Sequence, residues 1–177
     1  MRPAVFLDRD GTIIEDEGYL ADASRIRLVP GALEALRTFR DRGMLLVVIS
    51  NQSGIPRGLI TPEQHAEVDA RVKEILAAEG VPLHSAYYCA HLPNAGCVCR
   101  KPKPGMIEQA AREHAIDVAR SFMIGDKMSD VAAGRAAGCT TALLGKGKDA
   151  SDDDANPHHR GDTWTALLSS METHWKS

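Results

Sequence analysis

Ala4-Val5-Phe6-Leu7-Asp8-Arg9-Asp10-Gly11-Thr12 holds the pattern that decides the fold: an unbroken apolar run, then two carboxylates flanking an arginine, then glycine. The run is too short for a helix and lacks the polar alternation of a half-solvated strand, which predicts a strand buried on both faces. Such a strand needs helices above and below it, and the flanking sequence supplies them. Pro30-Gly31 opens a stretch with Ala32, Ala35, Leu36 and Phe39 at helical spacing, ended by Gly43. Leu45 to Ile49 is a second apolar strand, followed by Ser50-Asn51-Gln52 and a loop punctuated by Gly54, Pro56 and Gly58.

Further along, Thr61-Pro62-Glu63-Gln64 combines an N-cap, a proline at the first helical position and a capping-box glutamine. Val68, Val72, Ile75 and Leu76 carry that helix to Gly80. Ser85 to Cys89 reads as a strand, Met106 to Ala115 as a helix, Phe122 to Ile124 as a strand, Asp130 to Ala137 as a helix and Thr140 to Leu144 as a strand. Residues 146–162 are polar and predict a mobile loop, with His158 and His159 in solvent, before a closing helix from Thr163. Strands alternating with helices predict one α/β domain over residues 1–177, Rossmann-like and three-layered around a parallel sheet.

Composition limits what such a domain does. With 177 residues, 44% hydrophobic and a net charge of -3, the chain builds an ordinary core and has no basic field for nucleic acid. Its longest apolar stretch, Met44 to Ile49, is far short of a membrane span, and Met1-Arg2-Pro3 leads into Asp8 without a signal-peptide profile. A cytoplasmic monomer is expected, with no membrane or nucleic-acid partner.

Polar residues gather after the first, second and fourth strands: Asp8 and Asp10, Ser50 and Asn51, then Gly125, Asp126 and Asp130. In a parallel sheet these are all carboxyl ends, the edge where such folds bind ligands. A calcium loop fails for Asp8 to Thr12, because an EF-hand wants an acidic or amide residue at Thr12 and a glutamate at Tyr19. Cys89-x-His91 followed by Cys97-x-Cys99 offers four ligands for a closed tetrahedral zinc site, in a loop spanning residues 89–99. A disulfide is the competing reading, disfavoured in a reducing compartment. Cys139, entering an apolar run, reads as a core thiol.

Asp8 to Thr12, Ser50 to Gln52, Arg100-Lys101-Pro102 and Gly125 to Asp130 resemble the four ordered motifs of the haloacid dehalogenase-like phosphatases over about residues 4–145. Gly18-Tyr19, Asn51 to Gly58 and the cysteine pairs before Arg100 narrow the resemblance to the heptose 1,7-bisphosphate 7-phosphatases and their histidinol-phosphate phosphatase relatives. The resemblance implies a phosphatase acting on a small phosphorylated substrate, removal of the C7 phosphate of a heptose bisphosphate being the first expectation and histidinol phosphate the alternative. A non-catalytic zinc-stabilised interaction module is a third reading, against which all the catalytic residue types are present. Asp8 would be the nucleophile, Asp10 the proton donor and acceptor, and Lys101 the phosphate-clamping lysine. Mg2+ would sit on Asp8, the Asp10 backbone and Asp126, while Ser50, Asn51 and Lys127 would address the phosphoryl oxygens. Asp130 would hold either the metal through water or Lys101 through an ion pair. Structural zinc on Cys89, His91, Cys97 and Cys99 would aim Arg100 at a second phosphate. Between Asp10 and Ser50 there is no room for a cap domain.

Overall fold

The computed structural model describes residues 1–147 and 156–175. Six parallel strands, β1 (Ala4–Leu7), β2 (Leu45–Asn51), β3 (Ser85–Cys89), β4 (Phe122–Gly125), β5 (Thr140–Leu144) and β6 (His159–Gly161), form one sheet in the order β3-β2-β1-β4-β5-β6. The apolar run of β1 is therefore central, hydrogen-bonded to β2 on one side and β4 on the other. Helices α1 (Ala32–Asp41), α2 (Pro62–Ala78), α3 (Gly105–His114), α4 (Met128–Ala137) and α5 (Trp164–Trp175) complete the domain.

Period-2 geometry divides β1 between two cores. Val5 and Leu7 pack with Leu36 and Phe39 of α1, Val68 and Val72 of α2, and Trp164 and Leu167 of α5. Ala4 and Phe6 face the opposite layer, with Met106 and Ile107 of α3 and Ala133 of α4. All four side chains of β1 are fully buried, and each large one contributes about 1.5–3 kcal/mol of transfer free energy. The capping box of α2 forms as its sequence predicts: Gln64 N donates to Thr61 Oγ1 at 3.2 Å and Thr61 N to Gln64 Oε1 at 2.8 Å. At the other end of the chain, the buried Trp164 indole donates to the Thr12 carbonyl at 2.9 Å and ties α5 to the loop after β1.

Three expectations change. Helix α4 starts at Met128 rather than Asp130, because Asp130 serves as an acceptor within its first turn. The polar segment 146–162 contains β6, a three-residue strand that pairs with β5 and buries Gly161. Residues 148–155 of that segment lie outside the described residues. His158 and His159 are bonded rather than solvated: Thr141 N donates to His158 Nδ1 at 3.0 Å, and His159 Nδ1 meets the Ser170 carbonyl at 3.0 Å. Among the described residues no helix is long and apolar enough to cross a membrane, and only α1 with one 3-10 turn lies between β1 and β2.

Candidate active site

The strand order reverses direction at β1, with β2 to one side and β4 to the other, so a crevice opens at their carboxyl ends. Asp8 is the first residue beyond β1; its N–H still bonds the Ile124 carbonyl of β4 at 3.0 Å, which holds a 3% exposed carboxylate at the sheet edge. The chain then turns back on itself, the N–H groups of Ile13 and Ile14 both reaching the Arg9 carbonyl. Gly11 makes that turn possible. Its φ is 87°, and a Cβ there would stand 2.2 Å from Asp126 Oδ2.

Lys101 reaches this crevice from the loop before α3. Its Nζ donates to Asp8 Oδ1 and to the Ile49 carbonyl, each at 2.8 Å, and forms an ion pair with Asp130 Oδ1 at 2.6 Å. Burial opposes the ammonium, yet Asp130 and Asp8 outweigh it and push Lys101 up. Burial also works against charge on Asp8, but Lys101 and Lys127 hold it below the usual carboxylate range. Asp130 is pushed up to about 6 by burial, partly offset by Lys101. Asp130 thus forms the ion pair with Lys101, and its Oδ2 also accepts from Lys127 N at 3.0 Å. The Lys127 ammonium stands 3.9 Å from Asp8 Oδ2 and 3.8 Å from Asp126 Oδ1, close enough to act as a charge without being locked.

Besides lining the cleft, Asn51 holds the loop that carries Lys101. Its Oδ1 accepts from Lys101 N at 3.1 Å and its Nδ2 donates to the Lys101 carbonyl at 3.0 Å, so the amide clamps the lysine's backbone in place. Ser50, 1% exposed, accepts from Gln52 Nε2 at 3.0 Å, which leaves its hydroxyl hydrogen to donate. Asp8, Asp10, Ser50, Asn51, Lys101, Lys127 and Ser129 line one small cleft. The Asp10 carboxylate is held by Arg9 through Nε and Nη2, each at 3.0 Å, and by Gln52 Nε2 at 2.8 Å. Arg9, Gln52 and Ser129 lie inside the sequence motifs, but sequence reasoning gave them no role; their membership of those motifs was the signal that could have found them.

Carboxylate oxygens of Asp8, Asp126 and Asp130 lie within 4.8 Å of one another, all buried. Hard anionic oxygens crowded against a backbone that only glycine permits fit a divalent cation such as Mg2+.

A second ligand set stands at the end of β3. Cys89 Sγ lies 3.4 Å from His91 Nδ1, 3.8 Å from Cys97 Sγ and 3.2 Å from Cys99 Sγ, and His91 Nδ1 lies 3.2 Å from Cys99 Sγ. Tetrahedral zinc, with bonds of about 2.0–2.3 Å, requires ligand separations of roughly 3.3–3.8 Å, so the donor set fits. All four cysteines are free thiols, and Cys139 is buried as expected. The loop seats on α3 at Gly105, where a Cβ would stand 2.3 Å from the Val98 carbonyl. Arg100 Nη1 donates to the His91 carbonyl at 3.2 Å, and Arg100 lines a groove with Pro93, Gly96 and Lys103 beside the catalytic cleft.

A buried aspartate at the end of a central strand, with a lysine, a second aspartate and a cation site around it, defines a haloacid dehalogenase-like phosphatase. The HAD-hydrolase-like family model matches residues 98–169. The chain is 42% identical over 149 residues to the D-glycero-beta-D-manno-heptose-1,7-bisphosphate 7-phosphatase of Yersinia pestis, covering 80% of this chain and 79% of that one. The protein of the same name from Photorhabdus laumondii is 44% identical over 149 residues, with the same coverage. The crystal structure of D,D-heptose 1,7-bisphosphate phosphatase from B. bronchiseptica, complexed with magnesium and phosphate, superposes with a TM-score of 0.84 at 26% identity, covering 98% of this chain and 99% of that one. The chain belongs to the family of heptose 1,7-bisphosphate 7-phosphatases, phosphoric monoester hydrolases of the haloacid dehalogenase-like group.

Proposed function

We propose that the protein hydrolyses the C7 phosphate of D-glycero-β-D-manno-heptose 1,7-bisphosphate in two displacements on Asp8. The observation that carries this reading is the buried Asp8 carboxylate, held ionised between Lys101 and Lys127 at the mouth of the sheet. An Asp8 oxygen attacks phosphorus and the bond from phosphorus to the sugar oxygen breaks, giving an aspartyl-phosphate. Asp10 delivers its proton to the leaving oxygen and then takes one from the water that attacks the phosphoenzyme, so phosphate leaves and Asp8 is regenerated. Lys101, Lys127 and the Ser50 hydroxyl stabilise charge on the phosphoryl oxygens. Asp8, Asp126 and the Asp10 main-chain carbonyl would hold Mg2+, because the Asp10 carboxylate is taken by Arg9 and Gln52. Bound Mg2+ screens the repulsion between two anions and orients the phosphoryl group.

Zinc on Cys89, His91, Cys97 and Cys99 would be structural, since four protein ligands leave no position for water. Arg100, in the groove beside the cleft, would grip the phosphate that is not hydrolysed. Histidinol phosphate carries no second phosphate and is the less favoured substrate. Free thiols suit a reducing compartment, and the proposed setting is the cytoplasm. Turnover of heptose 1,7-bisphosphate and histidinol phosphate should be measured side by side, with 31P NMR reporting which phosphate is lost. A preference of about a hundredfold or more for the bisphosphate is expected; faster release from histidinol phosphate would overturn the substrate assignment.

A further inference from the structure

Arg9 is buried to 2% exposure and does not line the catalytic cleft, yet it sits between the two aspartates and grips Asp10 through two parallel bonds. A buried guanidinium needs its own support, and the structure provides it from β3 and α2. Tyr88, the register partner of Ser50, places its ring under the guanidinium at 5.7 Å from the centroid. The Tyr88 hydroxyl donates to Asp69, whose other oxygen is paired with Lys73 Nζ at 2.6 Å. The His65 ring packs edge-on against the Tyr88 ring, centroids 4.5 Å apart. These contacts run unbroken from the outer face of α2 to Asp10.

We propose that Arg9 and Tyr88 are positioning residues: Tyr88, locked by Asp69 and His65, fixes the plane of the Arg9 guanidinium, and Arg9 with Gln52 fixes the Asp10 carboxylate relative to the leaving oxygen. This rests on Asp10 being the group that protonates the leaving oxygen. A misplaced acid penalises poor leaving groups far more than good ones, because an aryloxide departs with little help from a proton.

The test compares kcat for an alkyl phosphate, glycerol 3-phosphate or the sugar substrate, with kcat for p-nitrophenyl phosphate. Arg9→Met should lower the alkyl rate by about a hundredfold and the aryl rate by only a few-fold. Tyr88→Leu should show the same selective loss on a smaller scale, about three- to tenfold, and Tyr88→Phe, which keeps the ring against Arg9 and His65 but loses the bond to Asp69, should recover most but not all of the ratio. Tyr88→Leu carries the test if Arg9→Met fails to fold. Equal losses on both substrates, or an unchanged ratio in Tyr88→Leu, overturn the proposal. Asp10→Asn is run alongside: if it shows no leaving-group selectivity while Arg9→Met does, the assignment of Asp10 is what fails.

Discussion

Replacing Lys101 by methionine removes the cation that, among the described residues, pairs with both Asp8 and Asp130, whose side chains are 4% and 1% exposed. Methionine fills most of the volume, so the change is chiefly electrostatic: two buried carboxylates are left facing each other. Breaking a buried ion pair from one side costs about 3–5 kcal/mol, a large part of the roughly 5–15 kcal/mol that holds a domain folded. At about 2–4 °C per kcal/mol for a domain of this size, Tm should fall by roughly 6–20 °C. The deficit should shrink between pH 7 and pH 5, because burial already holds Asp130 up to about 6 and its protonation leaves only one charge in the pair. Urea unfolding at both pH values, without added magnesium and with zinc left in place, measures this. Turnover should fall by at least about a hundredfold. Lys101→Met with Asp130→Asn should regain stability without regaining turnover. A single variant within about 1 kcal/mol of wild type at pH 7, or a double variant no more stable than the single one, would refute the idea that Lys101 is the counter-ion of the pair.

Gly11→Ala should abolish the response to magnesium with the core intact, since its Cβ would displace Asp126 Oδ2 from 2.2 Å; a magnesium titration of turnover that matches wild type would contradict this. Purified protein should carry about one zinc per chain by elemental analysis, and a strong chelator should raise hydrogen exchange over residues 89–101 before the core melts. Burial and then Arg9 hold His65 below its usual range, so the unfolded chain binds a proton there that the folded one refuses. Stability should accordingly fall as pH drops below about 6.5, and His65→Asn should flatten that slope in urea melts between pH 7 and pH 5.

The fold was legible where local chemistry and burial agree. The capping box at Thr61 and Gln64 reports a helix start directly, and the apolar run of β1 reports a strand covered on both sides. Strand β6 carries no such signal: His159-Arg160-Gly161 is polar and three residues long, and it is a strand only because β5 offers it a partner edge. The site divides in the same way. Asp8, Asp10, Lys101 and Asp126 announce themselves by motif order, whereas the clamp of Asn51 on the Lys101 backbone and the hold of Gln52 on Asp10 arise from contacts across the sheet edge. Spacing along the chain carries no record of those contacts.

The bond from the Trp164 indole to the Thr12 carbonyl joins residues 152 positions apart. On a ribosome adding about 5–20 residues per second, Thr12 waits roughly 8–30 s for its partner to be made. Asp8 meets Lys101 earlier, after 93 residues, but the loop that carries the nucleophile is not pinned on its far side until α5 docks. The nascent chain is thus expected to hold an assembled but unlatched centre for several seconds. A stalled chain whose emerged portion ends before Trp164 should bind phosphate or magnesium weakly and be cut by protease around residues 9–14, with protection arriving as the indole clears the exit tunnel.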